Sequence, residues 1–308
     1  MENTLSKPTP SMESPQITPV APKIGKWRGG FLIVQQSFGL LKKDKEILLF
    51  PILSLVCSLI LCVLFVIVIF FFLLSGNGDV LAAEGTLTMK PGETVAIYGV
   101  LFFIYIIGAF IAAFFQAGLV TIVSARINGN DFTFRDGMRN AIHNSRKILL
   151  WAVVTSTVGI VLQFISDRSK LIGKIIAFFL GAAWGIVTYF IVPVLALEDL
   201  SMKDSIKRSA EIFRATWGET LVSNFSTGLL FFLLLMGGAG VYVLSLLTGS
   251  WVVMAIMTVL FFLFLITITL VFSTLNTVFN IALYEYAAHH KSSEYFTPEL
   301  LSGAIGKR

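Results

Sequence analysis

Five amide side chains, Gln116, Gln163, Asn224, Asn276 and Asn280, lie inside long apolar runs of this 308-residue chain. Asn276 and Asn280 are one helical turn apart and share a helix face with Ser273 and Thr277. Amides and hydroxyls inside a bilayer can line a path for a polar solute. They can instead hydrogen-bond to neighbouring helices, each such bond being typically worth about 0.6 kcal/mol. Ser273, Asn276, Thr277 and Asn280 are therefore a candidate polar intramembrane face, with interhelical hydrogen bonding the favoured use.

Other chemistry is sparse. No Asp, Glu, Lys or Arg falls near the middle of an apolar run, where proton- or ion-coupled transporters usually keep one. Glu219 and Glu285 fall at run ends, where water is expected to reach them. There is no Walker loop, HExxH, Gly-x-Ser-x-Gly or CxxC pattern. His143, His289 and His290 have no evident partner, and a solvated histidine is the expectation for each. No catalytic residue, cofactor site or metal site is expected. Cys57 and Cys62 lie five apart on one run, cannot bridge there, and carry no message about redox compartment.

The basic residues are better organised. Thr133-Phe134-Arg135-Asp136 and Ser201-Met202-Lys203-Asp204 open two similar segments, each with a hydroxyl residue followed three positions later by an acid. That is an acidic variant of the capping box that starts a helix. Apolar stripes follow, Phe134, Met138, Ile142 and Leu149 in one copy and Met202, Ile206, Phe213 and Trp217 in the other, with most basic residues off the stripe. A further copy, without the box, is spaced through Trp27, Phe31, Val34, Phe38 and Leu41. Basic amphipathic helices of this kind lie in the membrane interface. Arg135, Arg139, Arg146, Lys203, Lys207, Arg208 and Arg214 are thus candidate contacts for lipid headgroups, anionic ones in particular. The competing use of the same helices is to brace the bundle.

These segments have a membrane to lie on. Hydrophobic residues make up 56% of the chain and charged ones 13%, about half the usual share for a soluble protein; mean hydropathy is +0.85. Six apolar runs, at 47–74, 95–124, 148–165, 175–197, 221–247 and 252–288, are apolar on every side and so read as helices rather than barrel strands. The last is too long for one crossing and is expected to emerge from the bilayer at its C-terminal end. With the N-terminus inside, 19 Lys and Arg fall on the cytoplasmic side and 4 outside, which puts both termini in the cytoplasm. The same bias accounts for the net charge of +5, so no nucleic-acid partner is expected.

The expected fold is all-α: a polytopic membrane protein of six transmembrane helices in three parallel repeats of amphipathic helix plus hairpin. Residues 1–26, rich in Ser, Thr and Pro, read as a disordered cytoplasmic tail and not a secretory signal. Residues 27–288 form the membrane domain and 289–308 a cytoplasmic tail. Small residues every four positions, Ala109, Ala113 and Ala117 and again Ala177, Gly181 and Gly185, mark packing seams, within one chain by preference and between copies otherwise. Gly237, Gly238 and Gly240 suggest a loosened outer end of the fifth span.

The stretch Ile191-Val-Pro193-Val-Leu-Ala-Leu-Glu198-Asp199-Leu, followed by Ile206-Lys-Arg-Ser209 and Trp217, resembles a pattern in prokaryotic multi-pass proteins. Among them is the membrane domain attached to some glycerophosphodiester phosphodiesterases. Lys43-Asp44-Lys45-Glu46-Ile47-Leu48-Leu49-Phe50-Pro51, Trp217-Gly218-Glu219 and Ala282-Leu283-Tyr284-Glu285-Tyr286-Ala287 are similar to pieces of an uncharacterised six-span family of bacteria and archaea. The resemblance implies a bacterial or archaeal cell membrane and no activity, because the phosphodiesterase chemistry belongs to a separate soluble domain. The leading expectation is a non-enzymatic membrane scaffold or accessory protein. A channel or facilitator for a small solute, or a lipid-handling protein, is the alternative.

Overall fold

A computed structural model describes residues 45–74, 91–168 and 171–289. The side chains of 72–74, 91–98 and 217–226 fall outside that description, as do the expected amphipathic copy at 27–41 and both tails. The described residues are helical, with no strand. A 3-10 turn, Lys45–Leu48, leads into α1 (Leu49–Leu74). Then follow α2 (Pro91–Ile127), α3 (Phe134–His143), α4 (Ser145–Arg168), α5 (Ile172–Val187), α6 (Ile191–Leu197), α7 (Met202–Leu246) and α8 (Trp251–His289).

Six of these stretches are long and apolar enough to cross a membrane: Glu46–Phe71, Gly99–Ile127, Ser145–Arg168, Ile172–Leu197, Thr227–Leu246 and Trp251–Ala288. Their outward surfaces are apolar. Val63, Phe71, Phe103, Phe164, Phe178 and Leu233 are all more than half exposed, a surface that only lipid can cover without penalty. α2 is the hub, packing against α1, α3, α4, α6 and α8, while α7 and α8 form the closest hairpin.

The core sits at one end of the bundle. Its buried residues come from the second half of α2 (Ala113, Ala117, Val120, Ile122, Val123), from α6, and from the last turns of α8 (Val278, Ile281, Leu283, Tyr284). The helices are more loosely joined toward the other end. Lipid tails are as apolar as Leu, so there is no hydrophobic gain from closing helices together at mid-bilayer. Tight packing instead develops where small residues allow it. The α2 seam is of this kind, with Ala113 and Ala117 buried inside the chain. The α5 seam is looser: a methyl at Gly181 would touch Leu162, but one at Gly185 would meet open space.

Two expectations about the amphipathic segments change. α3 does form, and its start is fixed by Asp136, whose carboxylate accepts from the Thr133 N–H (2.9 Å) and hydroxyl (2.6 Å). Glu46 adds a bond from the Phe134 N–H at 2.9 Å, satisfying another free amide of the first turn. Yet the face α3 buries is Gly137 and Ala141, while Ile142 and the following helix's Leu149 are 58% and 48% exposed. Phe134 and Met138 of the same stripe pack against the core, the Phe134 ring 4.7 Å from that of Phe50. An apolar side chain beside a bilayer, such as Ile142, has lipid available instead. The second copy is not a separate interfacial helix. It runs unbroken into the fifth span as the 45-residue α7, capped by Ser201, whose hydroxyl accepts from the Asp204 N–H. That continuity also corrects the expected loosening at 237–240: the helix passes straight through, and Gly238 is the slot into which the Phe264 ring packs.

Gly118 and Gly137 bring α2 and α3 into backbone contact beneath Phe50. A Cβ on Gly137 would lie 2.7 Å from the Gly118 carbonyl oxygen and 2.9 Å from the Phe50 ring. Gly137→Ala should therefore destabilise the detergent-solubilised protein by about 1–3 kcal/mol, the usual cost of overpacking. Gly185→Ala, also helical but facing open space, should be neutral or slightly stabilising. Thermal unfolding of the two variants side by side checks the assignment; equal behaviour would refute it.

Candidate functional site

The fourth span was expected to be one run over 175–197, but it is interrupted at 188–190, between α5 and α6. Pro193 is the cause. It has no N–H, so the Tyr189 carbonyl loses its partner one turn ahead, and the backbone tightens into shorter bonds from Tyr189 N to Ile186 O and from Ile191 N to Thr188 O. Broken backbone at membrane depth is tolerated only where protein or a water-filled cavity satisfies it. Here side chains from α7 and α8 do so. Ser209 Oγ accepts from the Phe190 N–H at 3.0 Å, and Asn280 Nδ2 donates to the Tyr189 carbonyl at 3.4 Å. From the other side, Asn140 Nδ2 donates to the Ala196 carbonyl at 2.9 Å and to Thr121 Oγ1 at 2.7 Å.

Beside the interruption opens a cavity of about 620 Å³. All four residues of the candidate polar face, Ser273, Asn276, Thr277 and Asn280, line it. Gln116 of α2, Thr227 of α7 and Thr269 of α8 join them, and Tyr189, Phe231 and Phe272 supply aromatic walls. The Phe231 and Phe272 rings meet edge to face, 5.3 Å apart. Thr277 spends its hydroxyl on the Ser273 carbonyl one turn back (2.9 Å), whereas Asn276 and Ser273 are exposed to the cavity. Asn280 is 8% exposed; its amide nitrogen holds Tyr189, and its Oδ1 is buried with no hydrogen-bond partner. None of the lining residues carries a formal charge at neutral pH. Sequence reasoning grouped the α8 residues and named Gln116 as an amide within a run, but neither joined Gln116 to that face nor singled out Thr227, which only the tertiary fold brings near. Pro193 lies inside the run read as 175–197, and a proline inside an apolar run was the available signal for the break.

Depth follows from α8. At 1.5 Å per residue, Thr269 lies about 27 Å and Asn280 about 43 Å along the helix from Trp251. A hydrocarbon layer is about 30 Å thick. Measured along α8 from Trp251, the cavity thus begins at a distance close to that thickness, at the end of the bundle that carries α3.

A charged network surrounds the same end. Tyr284 donates to Glu198 at 2.7 Å, and Arg208 Nε reaches the same oxygen at 3.3 Å. Glu285, expected to be watered, is instead 2% exposed and accepts from Ser124. The α2 and α8 ends close over it because Tyr284 and Ile281 pack inward beside it. Lys147 pairs with Asp199 at 2.6 Å, holding that exposed carboxyl below the usual carboxylate range. The Thr133 hydroxyl and N–H, aided by Arg139 and Arg135, do the same for Asp136. Of the seven candidate headgroup contacts, Arg208 is tied to Glu198, whereas Arg135, Arg139, Arg146, Lys203, Lys207 and Arg214 are exposed, Lys207 lying 4.0 Å from Glu211.

Among the described residues, fold and site define an all-α membrane protein with six helices long and apolar enough to span a bilayer and a cavity lined by uncharged polar and aromatic side chains. Residues 95–294 match the family model described as a family of unknown function, DUF6159, and the chain belongs to that family. No curated protein and no solved structure matches it.

The network predicts unequal effects for basic residues. Arg208→Gln leaves Glu198 without its cation and should cost about 1–2 kcal/mol, whereas Lys203→Gln should change stability by no more than about 0.5 kcal/mol. Thermal melts of both variants would test this, and equal losses would contradict it. Both depressed carboxyls stabilise the fold above their ordinary pKa, near 4, and that contribution disappears as pH falls through their lower folded values. The acid arm of the stability profile should therefore flatten in Asp136→Asn, as followed by melting between pH 2 and 6.

Proposed function

We propose that this protein is a non-enzymatic, lipid-handling membrane protein whose working site is the cavity lined by Gln116, Thr227, Asn276 and Asn280. One observation carries the reading: polar side chains from α2, α7 and α8 converge on one space among helices whose outward surfaces are apolar. Hydrogen bonding between helices, the commoner use of such residues, accounts for Asn280 but leaves Asn276 and Ser273 facing open space. A transported solute is usually held near the midplane, in line with broken helices; this broken helix lies nearer one face. The charge bias between loops supports a cytoplasmic position for that face, with both termini inside, and the family resemblance supports the cell membrane of a bacterium or archaeon. The likeness to the membrane domain attached to some glycerophosphodiester phosphodiesterases fits a role beside lipid chemistry carried out by other proteins.

A second reading, as a scaffold held on anionic lipid, is favoured by the exposed Arg135, Arg139, Lys203, Lys207 and Arg214. It predicts that Lys203→Gln plus Lys207→Gln weakens retention of phosphatidylglycerol while leaving the melting temperature unchanged.

The test of the main reading is extraction of lipid from purified full-length protein. About one tightly held lipid per chain is expected, and Asn276→Leu plus Gln116→Leu should release it while helicity by circular dichroism is kept. An unchanged lipid complement in that variant would sink the proposal.

A further inference from the structure

We infer that the cavity takes an uncharged ligand presenting hydroxyl or amide donors, most simply the hydroxylated head of a neutral lipid such as a diacylglycerol or a glycosyl-diacylglycerol. The inference rests on the cavity being the working site and adds the chemical class of what fills it. Three observations support it, and they are independent.

The first is charge. The lining offers only amides, hydroxyls and aromatic rings. A phosphate or ammonium drawn into a space walled by protein and hydrocarbon loses solvation that only an opposite charge or a dense set of hydrogen bonds restores. Arg208, a cation at this end, is tied to Glu198 and does not line the space.

The second is the acceptor on Asn280. Its Nδ2 donates to the Tyr189 carbonyl, to which Pro193 has no N–H to offer, and Oδ1 is left over. A buried acceptor without a donor is costly and rare in native proteins. Oδ1 is sealed even from a water-sized molecule, so a ligand O–H or N–H reaches it only when the Asn280 side chain turns, whereas Asn276 and Gln116 offer amide groups that already line the space.

The third is size and wall chemistry. About 620 Å³ is far more than a single ion or water needs and lies in the range of sites for sugar- to drug-sized molecules. Tyr189, Phe231 and Phe272 give an apolar wall against which the C–H face of a polyol or sugar ring can pack while its hydroxyls turn to the amides. A lipid source fits the surroundings, because Leu229, Phe232 and Ile266 beside the lining residues turn apolar surface outward.

The experiment uses the full chain in phosphatidylcholine nanodiscs, with dioleoylglycerol, glucosyl-diacylglycerol and phosphatidylglycerol as lipid probes and free glycerol and glucose as soluble ones. Binding is read by native mass spectrometry and thermal shift. A neutral lipid retained at one per chain, with affinity falling about 2- to 10-fold in Asn276→Leu, supports the inference. Asn280→Leu also exposes the Tyr189 carbonyl and is expected to impair folding, which is why Asn276→Leu is the deciding variant. Glucose or glycerol binding as tightly as the lipids, with the same loss in Asn276→Leu, supports the uncharged chemistry and makes the ligand a free solute. Phosphatidylglycerol held as well as or better than the neutral lipids, with the same loss, overturns the uncharged ligand and leaves the cavity as the site. Binding of every probe that ignores both Asn276→Leu and Gln116→Leu, or no binding at all, overturns both.

Discussion

The polar end of this bundle is arranged around one proline. Pro193 removes a backbone donor from the fourth span, and a membrane supplies no water to compensate. The side chains that answer the interruption come from distant parts of the chain: Ser209 on the Phe190 amide and Asn280 on the Tyr189 carbonyl. Each needs its helix pressed close to the break, and the small buried residues Ser205 and Ser209 on α7 allow that approach. The cavity lies beside this repair, and its orphan acceptor is the half of Asn280 that the repair does not use.

Much of the architecture could be read from residues alone. Length and uniform apolarity located six helices, because a bilayer fixes both quantities, and the hydroxyl-to-acid spacing marked the starts of α3 and α7 to the residue. Inference from hydrophobicity to burial held for Phe134, Met138, Met202, Ile206 and Phe213, which pack on the core, and failed at two positions. Ile142 and Leu149 were expected on the packed stripe and face outward, whereas Gly137 and Ala141 make the contact. In water the large apolar side chain finds the core; beside lipid it gains nothing there, and closeness of backbone decides instead. Glu285 escaped in a similar way, since a position near a span end says nothing about which neighbours close over it.

The candidate site was half legible. A period of three and four placed Ser273, Asn276, Thr277 and Asn280 on one face, but the pairing of that face with Gln116 and Thr227 depends on how α2, α7 and α8 cross. Pairings between helices more than a hundred residues apart leave no local trace. The uneven core has a related origin. Interior contacts cluster near the α3 end, where backbone bonds need partners, and thin out where lipid serves both faces equally well.

The continuity of α7 has a mechanical side. Forty-five residues in one helix extend about 68 Å, more than twice the hydrocarbon thickness. Its first turns are pinned through Arg208, and the wall at Thr227 belongs to the same rod. With no interruption between them to act as a hinge, tilting the outer lever by a few degrees displaces the wall as well, so the width of the cavity and the posture of the exposed segment are a single degree of freedom.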